Sequence, residues 1–136
     1  MKKLAYLLLS CATLALGTAG CTKSGDPAPQ AQPTLQPKDY QVEYRVSATS
    51  APSADYVAYV NETGATTTLG TTALPTTFSF KRNMKRGDNL TLTATLPGGT
   101  ATSEVTATIL LDGKEVKKTT GRGTDARAIT VYVIGE

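Results

Sequence analysis

The chain has 136 residues, with 14 Lys and Arg against 11 Asp and Glu, no histidine, no tryptophan and two cysteines. That length holds one ordinary domain. With no imidazole and no cysteine beyond Cys21, the folded part cannot build a His- or Cys-ligated zinc or copper site, a Ser-His-Asp or Cys-His catalytic set, or an internal disulfide. Lys2 and Lys3 belong to an expected leader, and without them 12 basic residues stand against 11 acidic ones, so bulk attraction to nucleic acid is not expected. The acidic residues stand singly, with no Asp-x-Asp-x-Asp-Gly calcium loop. The expectation is no metal, no cofactor and no enzymatic activity, with carboxylate-based hydrolysis the one chemistry left open.

The chain opens with "MKKLAYLLLSCATLALGTAGC". Two lysines, an apolar stretch from Leu4 to Leu16 and the small residues Thr18, Ala19 and Gly20 have the layout of a secretory signal. Its apolar run of about 13 residues falls short of the roughly 20 that cross a bilayer as a helix. The small residues before Cys21 resemble the lipobox of bacterial lipoproteins, which implies a signal peptide over residues 1–20 and a lipid on Cys21. Thr18 stands where the family usually has Leu. "LLSC" ending at Cys11 is a rival lipobox behind a shorter apolar run, and plain secretion is a further alternative. Two or three acyl chains on Cys21 would suffice for stable membrane anchoring. A cell-envelope location follows as the expectation, with the outer membrane as the anchoring surface.

Residues 21–38 follow as linker. They carry Pro27, Pro29, Pro33 and Pro37, and Leu35 as their one large apolar residue, a composition that cannot bury a core and predicts an extended, disordered tether. In polyproline geometry, at about 3.1 Å per residue, it would reach on the order of 50 Å.

From residue 39 the sequence alternates with a period of two. In "YQVEYRVS", Tyr40, Val42, Tyr44 and Val46 share one face and Gln41, Glu43, Arg45 and Ser47 the other, which predicts a half-buried strand. Further strands are predicted in "DYVAYVN" from Asp55, "TTTLGTT" from Thr66, "TTFSFKR" from Thr76, "NLTLTATL" from Asn89, "EVTATILLD" from Glu104, "KEVKKTT" from Lys114 and "AITVYVIG" from Ala128. Turns are predicted around Glu62, at Arg86 to Asp88, from Leu96 to Thr100 and at Asp112-Gly113, where an Asp-Gly pair between alternating runs signals a tight hairpin. Residues 39–136 are therefore expected to form an all-β domain, an antiparallel immunoglobulin-like β-sandwich of seven or eight short strands. Its core is expected to draw on Phe78, Phe80, Leu90, Leu92, Ile109, Leu111, Val131 and Val133.

Several pieces of this domain occur in a familiar order: Tyr59-x-Asn61-x-x-Gly64, then Leu74-Pro75, then Ile109 to Gly113 followed by a polar hairpin with Gly121 and Gly123. Over residues 42 to 130 the chain resembles the MmpS family of accessory proteins to RND-type exporters. The resemblance implies a transport-accessory role beside an envelope partner. The chain departs from the family in having Ala107 near one position of a common cysteine pair, Thr76 after Pro75, and a lipobox in place of a transmembrane helix.

Lys81, Arg82, Lys85 and Arg86 crowd one predicted turn and are candidates for contact with an acidic partner, a lipid headgroup or an anionic polysaccharide; a solvated loop is the plainer reading. Lys114, Lys117 and Lys118 suit an edge strand guarded against sheet-to-sheet pairing. Arg86-Gly87-Asp88 spells an integrin-type tripeptide, a pattern short enough to recur by chance. Gly98, Gly99, Gly121 and Gly123 read as turn residues, since no helix follows them to make a phosphate cradle. Tyr56 and Tyr59 have opposite parity, so one of them must face out, and an outward aromatic keeps glycan binding open. The leading expectation is a non-enzymatic, membrane-anchored lipoprotein whose sandwich is an interaction or accessory module for an envelope assembly. The alternative is a surface glycan- or nutrient-binding lipoprotein.

Overall fold

The computed structural model describes residues 36–136, and all their regular structure is strand. In chain order these are β1 (Lys38–Ala48), β2 (Ser53–Ala54), β3 (Tyr56–Val60), β4 (Thr66–Leu69), β5 (Thr72–Ala73), β6 (Thr76–Met84), β7 (Asn89–Thr95), β8 (Glu104–Leu111), β9 (Lys114–Arg122) and β10 (Arg127–Val133). The described residues belong to one compact unit; the signal, Cys21 and most of the linker lie outside them. All eight predicted strand segments are present. Gly70 and Thr71 break the segment from Thr66 into β4 and β5, and β5 pairs with β2 in a two-residue ladder. Leu74-Pro75, just beyond, is cis.

Two four-stranded antiparallel sheets carry the domain, one ordered β6-β1-β8-β9 and the other β10-β7-β3-β4. Only β3–β4 and β8–β9 are hairpins within a sheet, while every other connection between these eight strands crosses from one sheet to the other. That interleaving makes an immunoglobulin-like sandwich. At the β8–β9 hairpin both central residues have positive φ, 51° at Asp112 and 79° at Gly113, the two-residue turn whose twist matches its flanking strands. The Asp112 carboxylate accepts from the Gln41 amide and from Lys38 Nζ, both at 3.0 Å, tying the turn to the start of β1.

Inward-facing side chains from both sheets form one core: Val42, Tyr44, Val46, Val105, Ala107 and Ile109 from the first, Val57, Leu90, Leu92, Ala94 and Ala128 from the second. Burying each Leu, Ile or Val is worth roughly 1.5–3 kcal/mol. Phe78 and Phe80 are half-buried and pack on this core, as expected. β10 differs from expectation. Val131 is 46% exposed, Val133 is only half-buried, and the strand's inward positions are Ala128, Thr130 and Tyr132. Thr130 is fully buried and donates its hydroxyl to the Ala107 carbonyl at 3.2 Å, which satisfies a polar group inside the core. The sandwich has room for a threonine bonded across the sheets, and this sets the parity of β10.

Gly121 also differs from its expected place in a turn. It sits within β9, where an added Cβ would lie 2.0 Å from the carbonyl oxygen of Arg127. Its missing side chain lets β9, the edge of one sheet, press against β10, the edge of the other. β9 is the edge strand predicted for the lysines, and Lys114, Lys117 and Lys118 are all exposed on it.

Candidate functional site

The outer faces of the two sheets differ in chemistry. On the first, Gln41, Glu43 and Arg45 of β1 stand beside Ser79, Lys81 and Asn83 of β6, and Glu43 pairs with Arg45. This is an ordinary hydrated surface. On the second, cross-strand rows run Tyr56–Thr95–Arg127 and Thr68–Ala58–Thr93–Ile129, with Val131 opposite Thr91 in the next row. Arg127, at one end, is the one charged side chain on these rows. Ile129 and Val131 are 48% and 46% exposed and Tyr56 is 39% exposed, so the exposed large hydrophobic side chains among the described residues, two aliphatic and one aromatic, all stand on this face.

The β3, β4 and β7 side of the same face is concave. Tyr56, Ala58 and Val60, with Thr66 across from them and Asn89, Thr91 and Thr93 on the other flank, line an open depression of about 360 Å³. Its supports come from outside. The Tyr44 hydroxyl, reaching from the opposite sheet, donates to the Val60 carbonyl at 2.9 Å, and burial pushes the Tyr44 phenol well above the ordinary tyrosine range. At the β3–β4 turn the Asn61 side-chain carbonyl accepts from the amides of Thr63 and Ala65, and its amide donates to Thr67, an Asx-type arrangement that fixes the turn.

The four basic residues do not form one cluster. β6 alternates, so Lys81 points to the outer face of the first sheet, and Arg82 has inward parity and is half-buried. The Arg82 guanidinium donates to the Asn89 carbonyl at 3.1 Å and lies against Gly64, with Nη2 3.0 Å from the place a Cβ there would occupy. It clamps two corners of the depression. Lys85 and Arg86 remain exposed on the β6–β7 turn. In the Arg86-Gly87-Asp88 tripeptide, Asp88 is folded back, its carboxylate accepting from the Lys85 amide at 2.9 Å. Cys21, the expected lipidation site, lies outside the described residues.

Of the paired tyrosines, Tyr56 faces out and Tyr59 faces in, stacked on Phe78 with ring centroids 4.6 Å apart. Among the described residues no three His, Cys, Asp or Glu side chains are placed to hold a metal ion. The sequence does not single out Ile129 or Thr93, and it assigns Val131 to the core, whereas the structure leaves Val131 exposed. The usable signal was the alternation of Leu90 and Leu92 with Thr91 and Thr93 on β7, which assigns a face to β10 only once the register Val131↔Thr91 is known. No family model matches the chain, and no curated protein matches it.

Proposed function

We propose that this protein is a non-enzymatic lipoprotein of the cell envelope, held at the outer membrane through a lipid on Cys21, whose sandwich docks on an envelope protein partner. The observation that supports it is the nearly charge-free outer face of the β10-β7-β3-β4 sheet, with Ile129 and Val131 left exposed on its edge strand. Apolar groups in a surround depleted of charge are what the centre of a protein interface uses, whereas a merely hydrated face carries the charges seen on the other sheet. The resemblance to the MmpS family points to an RND-type exporter as that partner. In this role the sandwich is the contact element, the linker sets its reach, and the lipid sets its location.

In-cell crosslinking followed by mass spectrometry tests this, comparing the intact protein with Cys21→Ala and Ile129→Lys. Repeated capture of one envelope protein, lost in both variants, is the expected result. Unchanged membrane retention of Cys21→Ala would overturn the anchor, and capture indifferent to Ile129→Lys would overturn the docking face.

A further inference from the structure

We propose that the depression between β3, β4 and β7 binds a neutral, polyhydroxylated ligand, an uncharged oligosaccharide. The depression lies one strand over from Ile129 and Val131, whose cross-strand neighbours Thr93 and Thr91 line its nearer flank; binding of a small neutral probe is read without any protein partner, so the two readings can fail separately.

Four features carry it. The depression, at about 360 Å³, falls within the roughly 300–1,000 Å³ of small-molecule sites. None of its lining side chains is ionisable except tyrosine, and the one cation at its border, Arg82, already donates to the Asn89 carbonyl, so a carboxylate or phosphate ligand would lose hydration there with little to replace it. The wall instead offers hydroxyls and a carboxamide, from Thr66, Thr91, Thr93 and Asn89. Threonine hydroxyl bonds among the described residues are made elsewhere, for instance at Thr67, Thr106 and Thr130, which leaves these groups free to bond a solute although Thr93 itself is only 8% exposed. Finally, the Tyr56 ring stands at the border with 39% of its surface open, an apolar plate with a polar tip. A sugar ring has the matching duality, with C–H groups on its faces and hydroxyls around its rim.

The walls are held before any ligand arrives. Tyr44 fixes the Val60 carbonyl, Arg82 fixes the Asn89 carbonyl and packs on Gly64, and Asn61 fixes the intervening turn. A site so supported loses little conformational entropy on binding.

The test uses the full protein purified in detergent, titrated with cellohexaose, maltohexaose and chitohexaose as neutral probes and with hexagalacturonate as an acidic one. The expected result is saturable binding of at least one neutral probe, weakened roughly tenfold by Tyr56→Ala and roughly fivefold by Thr93→Val, with hexagalacturonate weaker than the neutral probe. Thr93→Val conserves volume, and thermal melting of each variant separates lost binding from lost folding. Lys117→Ala, exposed on β9 at the edge of the other sheet, leaves the affinity unchanged. The proposal is overturned if no neutral probe saturates below about 10 mM, if hexagalacturonate binds as well or better, or if Tyr56→Ala and Thr93→Val both retain full affinity.

Discussion

The Tyr44 hydroxyl donates to the Val60 carbonyl at 2.9 Å, joining β1 of one sheet to β3 of the other. Tyr44 is fully buried, with the Tyr59 ring 5.5 Å and the Phe80 ring 5.8 Å away, centroid to centroid. A buried hydroxyl without a partner would cost about 1–3 kcal/mol, a sizeable part of what the ring gains in packing, so this bond makes a central tyrosine tolerable. It also holds the floor of the depression.

Tyr44→Phe keeps the ring and removes the donor. The expected loss is about 1–2 kcal/mol of folding stability, read as a lower denaturant midpoint with unchanged slope. Alkaline titration gives a second check. Because burial raises the folded pKa of Tyr44 above its ordinary 10.0, its contribution is intact below pH 10 and is lost as pH rises beyond that. Absorbance at the tyrosinate band should therefore show one phenol that ionises only as the domain unfolds.

Lys38 and Asp112 tie the chain's entry into the sandwich to the β8–β9 turn, 3.0 Å apart. The Asp112 carboxyl is held below 3.8, chiefly by the Gln41 amide and then by Lys38, while Asp112 raises Lys38 above 10.5. The acid contribution is present above pH 3.8 and disappears as pH falls through the lowered value; the lysine contribution is present below pH 10.5 and disappears as pH rises through the raised one. Carboxyl NMR titration should find Asp112 low in the natural protein and only partly restored in Lys38→Ala, because the stronger Gln41 bond survives. Full restoration would show that the ion pair, not the amide, governs Asp112.

Gly121→Ala places a methyl carbon 2.0 Å from the Arg127 carbonyl oxygen. Backbone on both sides must move, and a loss of about 3 kcal/mol or more is expected. Gly113 has open space around it and a φ of 79°, so Gly113→Ala should lose only the left-handed strain, about 1–2 kcal/mol. Thermal melts of the two variants separate close approach from backbone conformation, and equal losses would refute the tight β9–β10 contact.

Much of the fold was legible because β1 and β7 alternate cleanly between apolar and polar residues, as β8 does up to Ile109, and because Asp112-Gly113 admits few other conformations. β10 was not. Ile129, Val131 and Val133 form a more apolar set than Ala128, Thr130 and Tyr132, and only the bond from Thr130 to Ala107 explains why the second set turns inward. Arg82 was grouped with its neighbours in sequence, although alternation sends it to the opposite side of the strand from Lys81. The depression was hidden for a related reason: Thr66, Thr91 and Thr93 are unremarkable threonines until the registers of β3 with β4 and β7 bring them around one hollow.

The contact made possible by Gly121 gives the sandwich a spine. β9 is pressed to β10 along that margin, and no comparable contact joins β6 to β4 on the other, where Tyr59, Phe78 and Phe80 fill the gap with half-buried rings. Thermal breathing then has a direction, parting the fore-edge while the spine holds. Backbone amides of β4 and β6 should exchange with deuterium sooner than those of β8 and β7, and Arg82, which reaches from β6 to Asn89 and the Gly64 turn at that looser margin, acts as the latch.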